Sequence, residues 1–409
     1  MNRIYVGMDV SKDNFKATIV DRNNRRLSKC LTCGYDRPGL DKFFAKVMRI
    51  RDENDAEVVF GLESTGIYHL PLLEYLSESG AQVRVFNGLE LRGYKNRVRK
   101  LKTDRTDSEC IAEALILCQD DQFHIPASQA TVQIRELNRV RFRVMDKATE
   151  CKVQAVRDLD ILCPGYSGCF RDILCESSIN VLNLAFRKTR FLEASVSDLK
   201  KCMLSMTDSR AQEKAVRLHT LFKGCVVSSD IRDIYLLELR MLLEEYKLLQ
   251  EQISRLDSRI SKLMSSMDSH LCSIPGIGEH TASVILGELG DIDRFESAEK
   301  VVAFAGLDPS ISESGRSRKT GNISKRGSRH LRAALYRASL SAIRTNPVCK
   351  VFYEHLRGRG KPFRLCLTAV SRKLLHIIFS VEKNKRDFYV PEYIQMEMEL
   401  TKTPAAKVI

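Results

Sequence analysis

Four carboxylates lie at positions from which a single site could be built. Asp9 closes a strand-like segment near the start of the chain, and Glu63 closes another. Asp104 and Asp107 are three residues apart in a segment of helical character, so they share one helix face. Clustered carboxylates repel one another unless cations are bound, and oxygen ligands suit Mg²⁺ or Mn²⁺. The pattern predicts a two-ion site for phosphoryl transfer, although each acid alone could be a helix cap or a surface charge.

Basic side chains are concentrated in two stretches. The 409 residues carry 66 Lys and Arg against 52 Asp and Glu, a formal net charge of +14. Residues 92–105 hold seven basic residues and one acid, and residues 313–373 hold sixteen and two. Such stretches neutralise a phosphate backbone by counterion release, whereas two solvated basic faces are the alternative. We expect nucleic-acid contacts from Arg97, Arg99, Lys100, Lys102, Arg316, Arg318, Lys319, Lys325, Arg326 and Arg329.

Glycines and serines add two further candidate features near the second basic stretch. A Pro-Gly-Ile-Gly segment precedes a helix of small residues, as in the hairpin of helix-hairpin-helix modules. There Gly276 and Gly278 would let the backbone approach phosphates, although a Pro-Gly turn between helices is common. From Pro309 to Arg329 the chain is rich in Ser, Gly and basic residues, which predicts a loop. The residues alone do not choose a nucleophile among Ser310, Ser312, Ser314 and Ser317.

The elements that position the acids form an α/β pattern over residues 1–128. Residues 3–9 and 14–20 alternate like paired strands, and a third strand is expected over 25–31. Helices are expected at 38–50 and 64–79, strands at 57–63 and 82–86, and a further helix from Asp104 with Thr103 as its N-cap. Strands followed by alternating helices and strands indicate an α/β domain.

The rest of the chain predicts helices. Residues 129–268 end in apolar positions spaced alternately by three and four, from Leu239 to Met267. This spacing predicts a coiled-coil seam, which we expect between subunits, with a long helix packed in its own domain as the alternative. Residues 160–230 contain five cysteines and no interpretable motif. A mainly helical C-terminal domain is expected over 269–390, and a tail over 391–409.

Cysteine usage and hydropathy exclude several protein classes. The thirteen cysteines are odd in number, and the N-terminus has no signal pattern, which disfavours a disulfide framework. Cys30 and Cys33 form a Cys-x-x-Cys without the second pair that a zinc site needs, so we expect reduced, mostly buried thiols. No apolar stretch approaches the roughly 18 residues of a membrane span. We expect a cytoplasmic protein without a membrane partner.

Seven sequence blocks resemble one known family. Residues 7–10, 63–68 and 102–107 resemble the DEDD motif of a RuvC-like, ribonuclease H-type fold. Residues 274–278, 304–309, 314–315 and 323–327, the last leading to Leu331-Arg332, resemble its partner domain. Together they resemble the DEDD transposases of the insertion-sequence one-ten family, which includes Piv-type DNA invertases. The resemblance covers roughly residues 4–118 and 270–345.

The resemblance implies roles for individual residues. Asp9, Glu63, Asp104 and Asp107 fall on the four metal-binding acids of the family, and Ser314 falls on the serine that becomes covalently linked to DNA. Family members are guided by a bridge RNA, one loop of which pairs with donor DNA and the other with target DNA. They act as oligomers with composite active sites, so we expect a dimer to tetramer.

These observations predict a Mg²⁺- or Mn²⁺-dependent transposase of α/β plus all-α architecture that uses Ser314 and a guide RNA. A metal-dependent nuclease resembling Holliday-junction resolvases, in which water attacks and Ser314 is structural, is the first alternative. A non-catalytic nucleic-acid-binding protein is the second, and it leaves the four acids unexplained.

Overall fold

The chain folds into two compact units, residues 1–127 and 128–409. The computed structural model describes residues 2–63, 68–86, 88, 91, 104–117, 129–187, 194–204, 206–224, 229–314 and 317–392. Among these residues, no helix is long and apolar enough to cross a membrane. The predicted fold class is confirmed, because the first unit is built on a mixed sheet and the second is mainly helical. The predicted boundary within the second unit, between residues 268 and 269, stays a prediction.

A five-stranded sheet in the order β3-β2-β1-β4-β5 forms the centre of the first unit. Its strands are β1 (Asn2–Val10), β2 (Phe15–Asp21), β3 (Leu31–Cys33), β4 (Ala56–Glu63) and β5 (Gln82–Phe86). β1 pairs antiparallel to β2 and parallel to β4, and β4 pairs parallel to β5.

The third strand begins later than predicted. We expected it over residues 25–31, but pairing there is a single bridge between Val20 and Arg26, and the ladder to β2 begins at Leu31. Arg25 and Arg26 are exposed, and the Asp21 carboxylate accepts hydrogen bonds from the backbone amides of Asn23 and Arg25. This local turn competes with strand pairing.

Helices cover both faces of the sheet. α1 (Arg37–Asn54) and α2 (Leu70–Glu78) pack on the face that contains Ile4, Val6 and Met8. α3 (Asp104–Leu117) packs on the opposite face, where Tyr5 and Val59 lie with the apolar side chains of that helix. The alternation along β1 therefore buries one set of residues under each layer.

Two long antiparallel helices, α4 (Gln129–Leu162) and α8 (Ser229–Met264), run through the second unit. Their direction is visible in two ion pairs, because Arg141 contacts Asp257 while Arg157, nearly half of the helix further on, contacts Glu238. Between them in the chain, the described residues form three shorter α-helices: α5 (Glu176–Arg187), α6 (Val196–Lys201) and α7 (Asp208–Lys223). They enclose an apolar cluster around the fully buried Tyr166.

The predicted heptad seam lies inside the chain. Leu239, Leu249 and Ile253 are buried in the cluster formed with α4 and the short helices, and Ile260 is buried with the C-terminal core. The expectation that this seam joins two subunits is therefore wrong, since its residues already pack within one chain. The heptad spacing reports a buried helix face and does not identify its partner.

The cysteines of the middle region are part of this packing. Cys163 and Cys169 are buried in the cluster, and burial raises the pKa of the Cys169 thiol. The cysteines that the structure describes are free. The expectation of reduced, mostly buried thiols agrees with this packing.

The C-terminal part of the second unit contains helices and one hairpin. The elements are α9 (Glu279–Leu289), α10 (Ala298–Phe304), β6 (Pro309–Ser314), β7 (Ser317–Ile323), α11 (Arg329–Thr345), α12 (Pro347–Gly358) and α13 (Phe363–Asn384). We expected this region to be a loop, but residues 309–314 and 317–323 pair as the antiparallel strands of a β-hairpin. Ser and Gly enrichment obscured this pairing, in which Ile311 lies opposite Thr320.

Candidate active site

Asp9 and Glu63 lie at the carboxyl ends of neighbouring parallel strands. In the register of β1 and β4, Met8 is opposite Leu62, and the next residue of each strand is one of the two acids. The two acids are therefore at the same level of the sheet, as the sequence predicted.

Two glycines show which face of the sheet the acids occupy. The backbone of α3 lies directly over Gly7, because a Cβ added there would be 2.2 Å from the carbonyl oxygen of Ser108. Gly61 lies under the side chain of Leu115 on the same helix. Side chains alternate along a strand, so the acids, two positions after these glycines, point to the face covered by α3.

The position of α3 is fixed by hydrogen bonds to the sheet and its loops. Ser108 Oγ is 2.9 Å from Thr18 Oγ1 in a buried contact, and Asn24 Nδ2 donates to Glu113 at 2.8 Å. Asp107 immediately precedes Ser108, so this helix contact also determines where Asp107 lies.

Two residues that the sequence analysis did not single out lie beside the acids. Glu63 is 8% exposed, and a Cβ added to Gly88 would be 2.9 Å from its Oε1 atom. The Tyr35 hydroxyl donates to the carbonyl oxygen of Ser11 at 2.8 Å. Burial raises the pKa of Tyr35, and the negative charge of Asp9 adds to this shift. Neither residue belongs to a motif, so only the fold identifies them.

The acids fit a hard divalent cation by donor type, since all four are carboxylates. Among the described residues, however, no group of three or more His, Cys, Asp or Glu side chains lies close enough together to hold a metal ion. Asp104 begins α3, and its side chain lies outside the described residues. The fold brings Asp9, Glu63 and the helix of Asp107 to one face, and metal binding stays a prediction.

Ser314 is the last residue of β6, opposite Ser317, the first residue of β7. The two residues between them and the Ser314 side chain lie outside the described part of the chain. The predicted nucleophile is therefore located at the far end of a hairpin and not in an irregular loop.

The opposite end of this hairpin is anchored by backbone contacts. The backbone amide of Lys325 donates to the carbonyl oxygen of Gly306 at 3.0 Å, and the backbone amide of Ser324 donates to the carbonyl oxygen of Asp308 at 2.9 Å. Gly306 has φ +68°, and a Cβ on it would be 2.6 Å from the amide nitrogen of Arg326. Only glycine suits both the backbone conformation and this close approach.

The predicted basic residues fall into three groups. Lys325, Arg326 and Arg329 are exposed, between the hairpin and the start of α11. Arg318 and Lys319 lie in β7, with side chains outside the described residues. Arg97, Arg99, Lys100, Lys102 and Arg316 lie wholly outside them.

The two glycines of the Pro-Gly-Ile-Gly segment have different surroundings. Gly276 has φ +97°, and a Cβ on it would be 2.7 Å from the Cα of Ala342. Packing against α11 therefore gives Gly276 a structural reason, and a phosphate contact there stays a prediction. Gly278 precedes α9 with open space around it, and its phosphate contact stays a prediction.

Known protein families match both the part of the chain that contains Asp9, Glu63 and α3 and the part that contains the hairpin of Ser314. A family model described as Transposase IS116/IS110/IS902 family matches residues 268–354, and a DEDD transposase model of IS110 type matches residues 6–164. The insertion element IS110 uncharacterized 43.6 kDa protein of Streptomyces coelicolor is 30% identical over 111 residues, 27% of either chain. The pilin gene-inverting protein of Moraxella bovis is 34% identical over 122 residues, 29% of this chain and 38% of that protein.

These matches span less than half the length of either relative. Among solved structures, Thermus thermophilus RuvC in complex with a Holliday junction substrate is similar with 13% identity and a TM-score of 0.20, covering 27% of this chain and 91% of RuvC. The fold class rests on the sheet described above. Since the two family models match in chain order and together cover more than half of the residues, the chain belongs to the IS116/IS110/IS902 family of transposases.

Proposed function

We propose that this protein is the recombinase of an insertion sequence, which cuts and rejoins DNA through a covalent bond between Ser314 and the strand. The observation that carries the proposal is the convergence of Asp9, Glu63 and α3, the helix of Asp104 and Asp107, on one face of the sheet. Family membership supports DNA as the substrate. The relative described as a gene-inverting protein supports a reaction that rejoins strands as well as cutting them.

The proposed reaction is a pair of transesterifications. The Ser314 oxygen attacks a phosphodiester phosphorus, the bond from phosphorus to one deoxyribose oxygen breaks, and that oxygen takes up a proton as the serine hydroxyl loses one. In the second step a sugar hydroxyl of the exchanged strand attacks the same phosphorus and releases serine. Each ester bond replaces another, so no external energy source is needed.

A serine hydroxyl is a weak nucleophile near neutral pH and needs activation. The four carboxylates would hold Mg²⁺ or Mn²⁺, which supplies Lewis-acid stabilisation of the reacting phosphoryl oxygens. The hairpin positions the serine, because its anchored base leaves Ser314 at the far end of two paired strands. Arg318 and Lys319 follow on β7 and would bind the neighbouring phosphates.

We propose further that a bridge RNA selects the donor and target DNA, and that the protein acts as a homo-oligomer of two to four copies. The resemblance to the family supports both. The exposed basic residues around the hairpin suit phosphate contacts, which position a duplex without reading its sequence. Base pairing with a guide strand would then supply the specificity.

The catalytic proposal is tested with a nicked suicide DNA substrate, the full chain and RNA transcribed from the flanking non-coding DNA. Asp9→Asn and Asp107→Asn should lose strand cleavage and retain nucleic-acid binding, while Asp13→Asn, an exposed acid of the same unit, should retain both. Ser314→Ala should lose the covalent adduct, with Ser312→Ala as the matched control. Cleavage that persists in Ser314→Ala would show that water attacks, as in a resolvase-like nuclease.

The guide proposal is tested by expressing the protein with and without the flanking non-coding DNA and sequencing the RNA that co-purifies. We expect one structured transcript from that flank. Site-specific recombination by protein freed of RNA would contradict the guide and leave the catalytic proposal intact.

A further inference from the structure

Two adjoining cavities flank Phe142 of α4 where this helix meets α11. The first has a volume of about 550 Å³ and is lined by Tyr336, Arg337 and Ala333 of α11. The second has a volume of about 370 Å³ and is lined by Arg143 of α4 and by residues at the start of α11. Phe142 lines both, so the two cavities share one wall.

The first cavity has aromatic and guanidinium walls. Arg332, Thr368 and Ser371 also line it, and Tyr336 is 36% exposed in it. The Arg337 guanidinium lies 5.6 Å from the centre of the Phe142 ring, and that ring stacks on His330 with centroids 4.6 Å apart. Such walls suit a flat heterocycle, because aromatic rings and guanidinium planes stack on the faces of nucleobases.

The second cavity contains arginines available to an anion. Arg143 and Arg329 are exposed, and their guanidinium groups make no hydrogen bond or ion pair with any residue that the structure describes. Arg139, also in the wall, is paired with Glu288 at 3.1 Å, and Asp146 contributes one negative charge. The cavity therefore has a positive excess that comes from the two unpaired guanidinium groups.

The start of α11 is not itself the anion site. Ser328 caps this helix, and its Oγ atom accepts hydrogen bonds from the amides of His330 and Leu331. The attraction for an anion rests on the side chains of Arg143 and Arg329.

We propose that these cavities bind one unpaired nucleotide of a nucleic-acid strand. Its base occupies the first cavity beside Tyr336, and its phosphate lies in the second between Arg143 and Arg329. The inference rests on the proposed function only in taking nucleic acid as the partner. Leu307, which precedes the hairpin of Ser314, and Ile323, the last residue of that hairpin, line the first cavity, so this nucleotide would anchor the strand beside the hairpin.

The test separates base binding from phosphate binding. The full chain is titrated into fluorescent oligothymidylate, oligouridylate and an abasic strand of equal length, and anisotropy is measured. Tyr336→Ala should weaken binding of a base-bearing strand about five- to hundred-fold and leave the abasic strand unchanged. Tyr389→Ala, which removes a tyrosine that is 74% exposed, should change neither.

A second variant fills the cavity instead of removing a wall. Ala333 is exposed on α11 and lines the cavity, so Ala333→Leu should weaken base binding without loss of helix propensity. If the two variants lose more affinity for oligothymidylate, DNA supplies the nucleotide. If they lose more affinity for oligouridylate, RNA supplies it.

The phosphate cavity is tested by the salt dependence of binding. Arg143→Gln and Arg329→Gln should each lower the slope of log K against log salt by about 0.7 on a single strand, and Arg344→Gln, at the other end of α11, should not. Unchanged affinity in Tyr336→Ala and Ala333→Leu would overturn the base cavity while the catalytic proposal stands. Absence of nucleic-acid binding by the parent chain would overturn both.

Discussion

The contact between Gly7 and α3 provides a test of how the acids are positioned. A Cβ on Gly7 would be 2.2 Å from the Ser108 carbonyl oxygen and 2.3 Å from the Ala112 amide nitrogen. Both are backbone atoms, so no side-chain rotation relieves the clash. Restoring an ordinary contact of 3.4 Å requires α3 to move away from β1 by about 1.2 Å.

Gly7→Ala should therefore destabilise the first unit and impair cleavage. Alanine normally stabilises a strand interior relative to glycine by about 0.5–1 kcal/mol, whereas overpacking a core costs about 1–3 kcal/mol. The helix shift would also displace Asp107 from Asp9, and a misplacement of about 1 Å at a reacting centre costs about a hundredfold in rate. Thermal unfolding and the suicide-substrate cleavage assay measure the two effects.

Gly61→Ala is the matched control. Gly61 lies opposite Gly7 in the strand register, but the three atoms nearest to its added Cβ would be side-chain carbons of Leu115, at 2.8–3.0 Å. A side chain can rotate away, so both losses should be smaller. Equal stability and equal cleavage in the two variants would refute the argument that backbone contact at Gly7 positions Asp107.

Two further predictions concern the second unit. Ile253→Asp should lower its free energy of unfolding by about 3–5 kcal/mol, because Ile253 is 6% exposed, whereas Met241→Asp, at a site 62% exposed, should change the melting temperature little. Equal melting temperatures would contradict the buried seam. Burial, with the positive charge of Arg141, lowers the pKa of His280 to about 4, so neutral His280 contributes stability that is fully present above pH 6.5 and is lost as the pH falls towards 4. At pH 5 the free energy of unfolding measured in denaturant titrations should be about 2 kcal/mol lower than above pH 6.5. The same pH dependence in a His280→Gln variant would contradict this prediction.

The acids at the strand ends were predictable because their signals are local. Alternation along β1 and β4 places Asp9 and Glu63 at strand ends, and the spacing of Asp104 and Asp107 places both on one helix. The match of β5 to residues 82–86 has the same origin. The nucleophile was different, since four serines share the hairpin region and only the family resemblance distinguishes Ser314.

The heptad seam shows where local patterns stop. The spacing from Leu239 onwards specified a buried helix face, but the partner of that face is α4, about a hundred residues earlier in the chain. A subunit partner and an intramolecular partner bury the same apolar area, so the periodicity is identical for both.

The fold class, the strand-end positions of Asp9 and Glu63 and the basic character of the C-terminal region were predictable, because periodicity and charge are properties of neighbouring residues. The packing of α3 against Gly7, the approach of Gly88 to Glu63 and the cavity lined by Phe142 and Tyr336 were not predictable from such local patterns. Those contacts join residues far apart in the chain, and each depends on backbone positions that long-range packing sets.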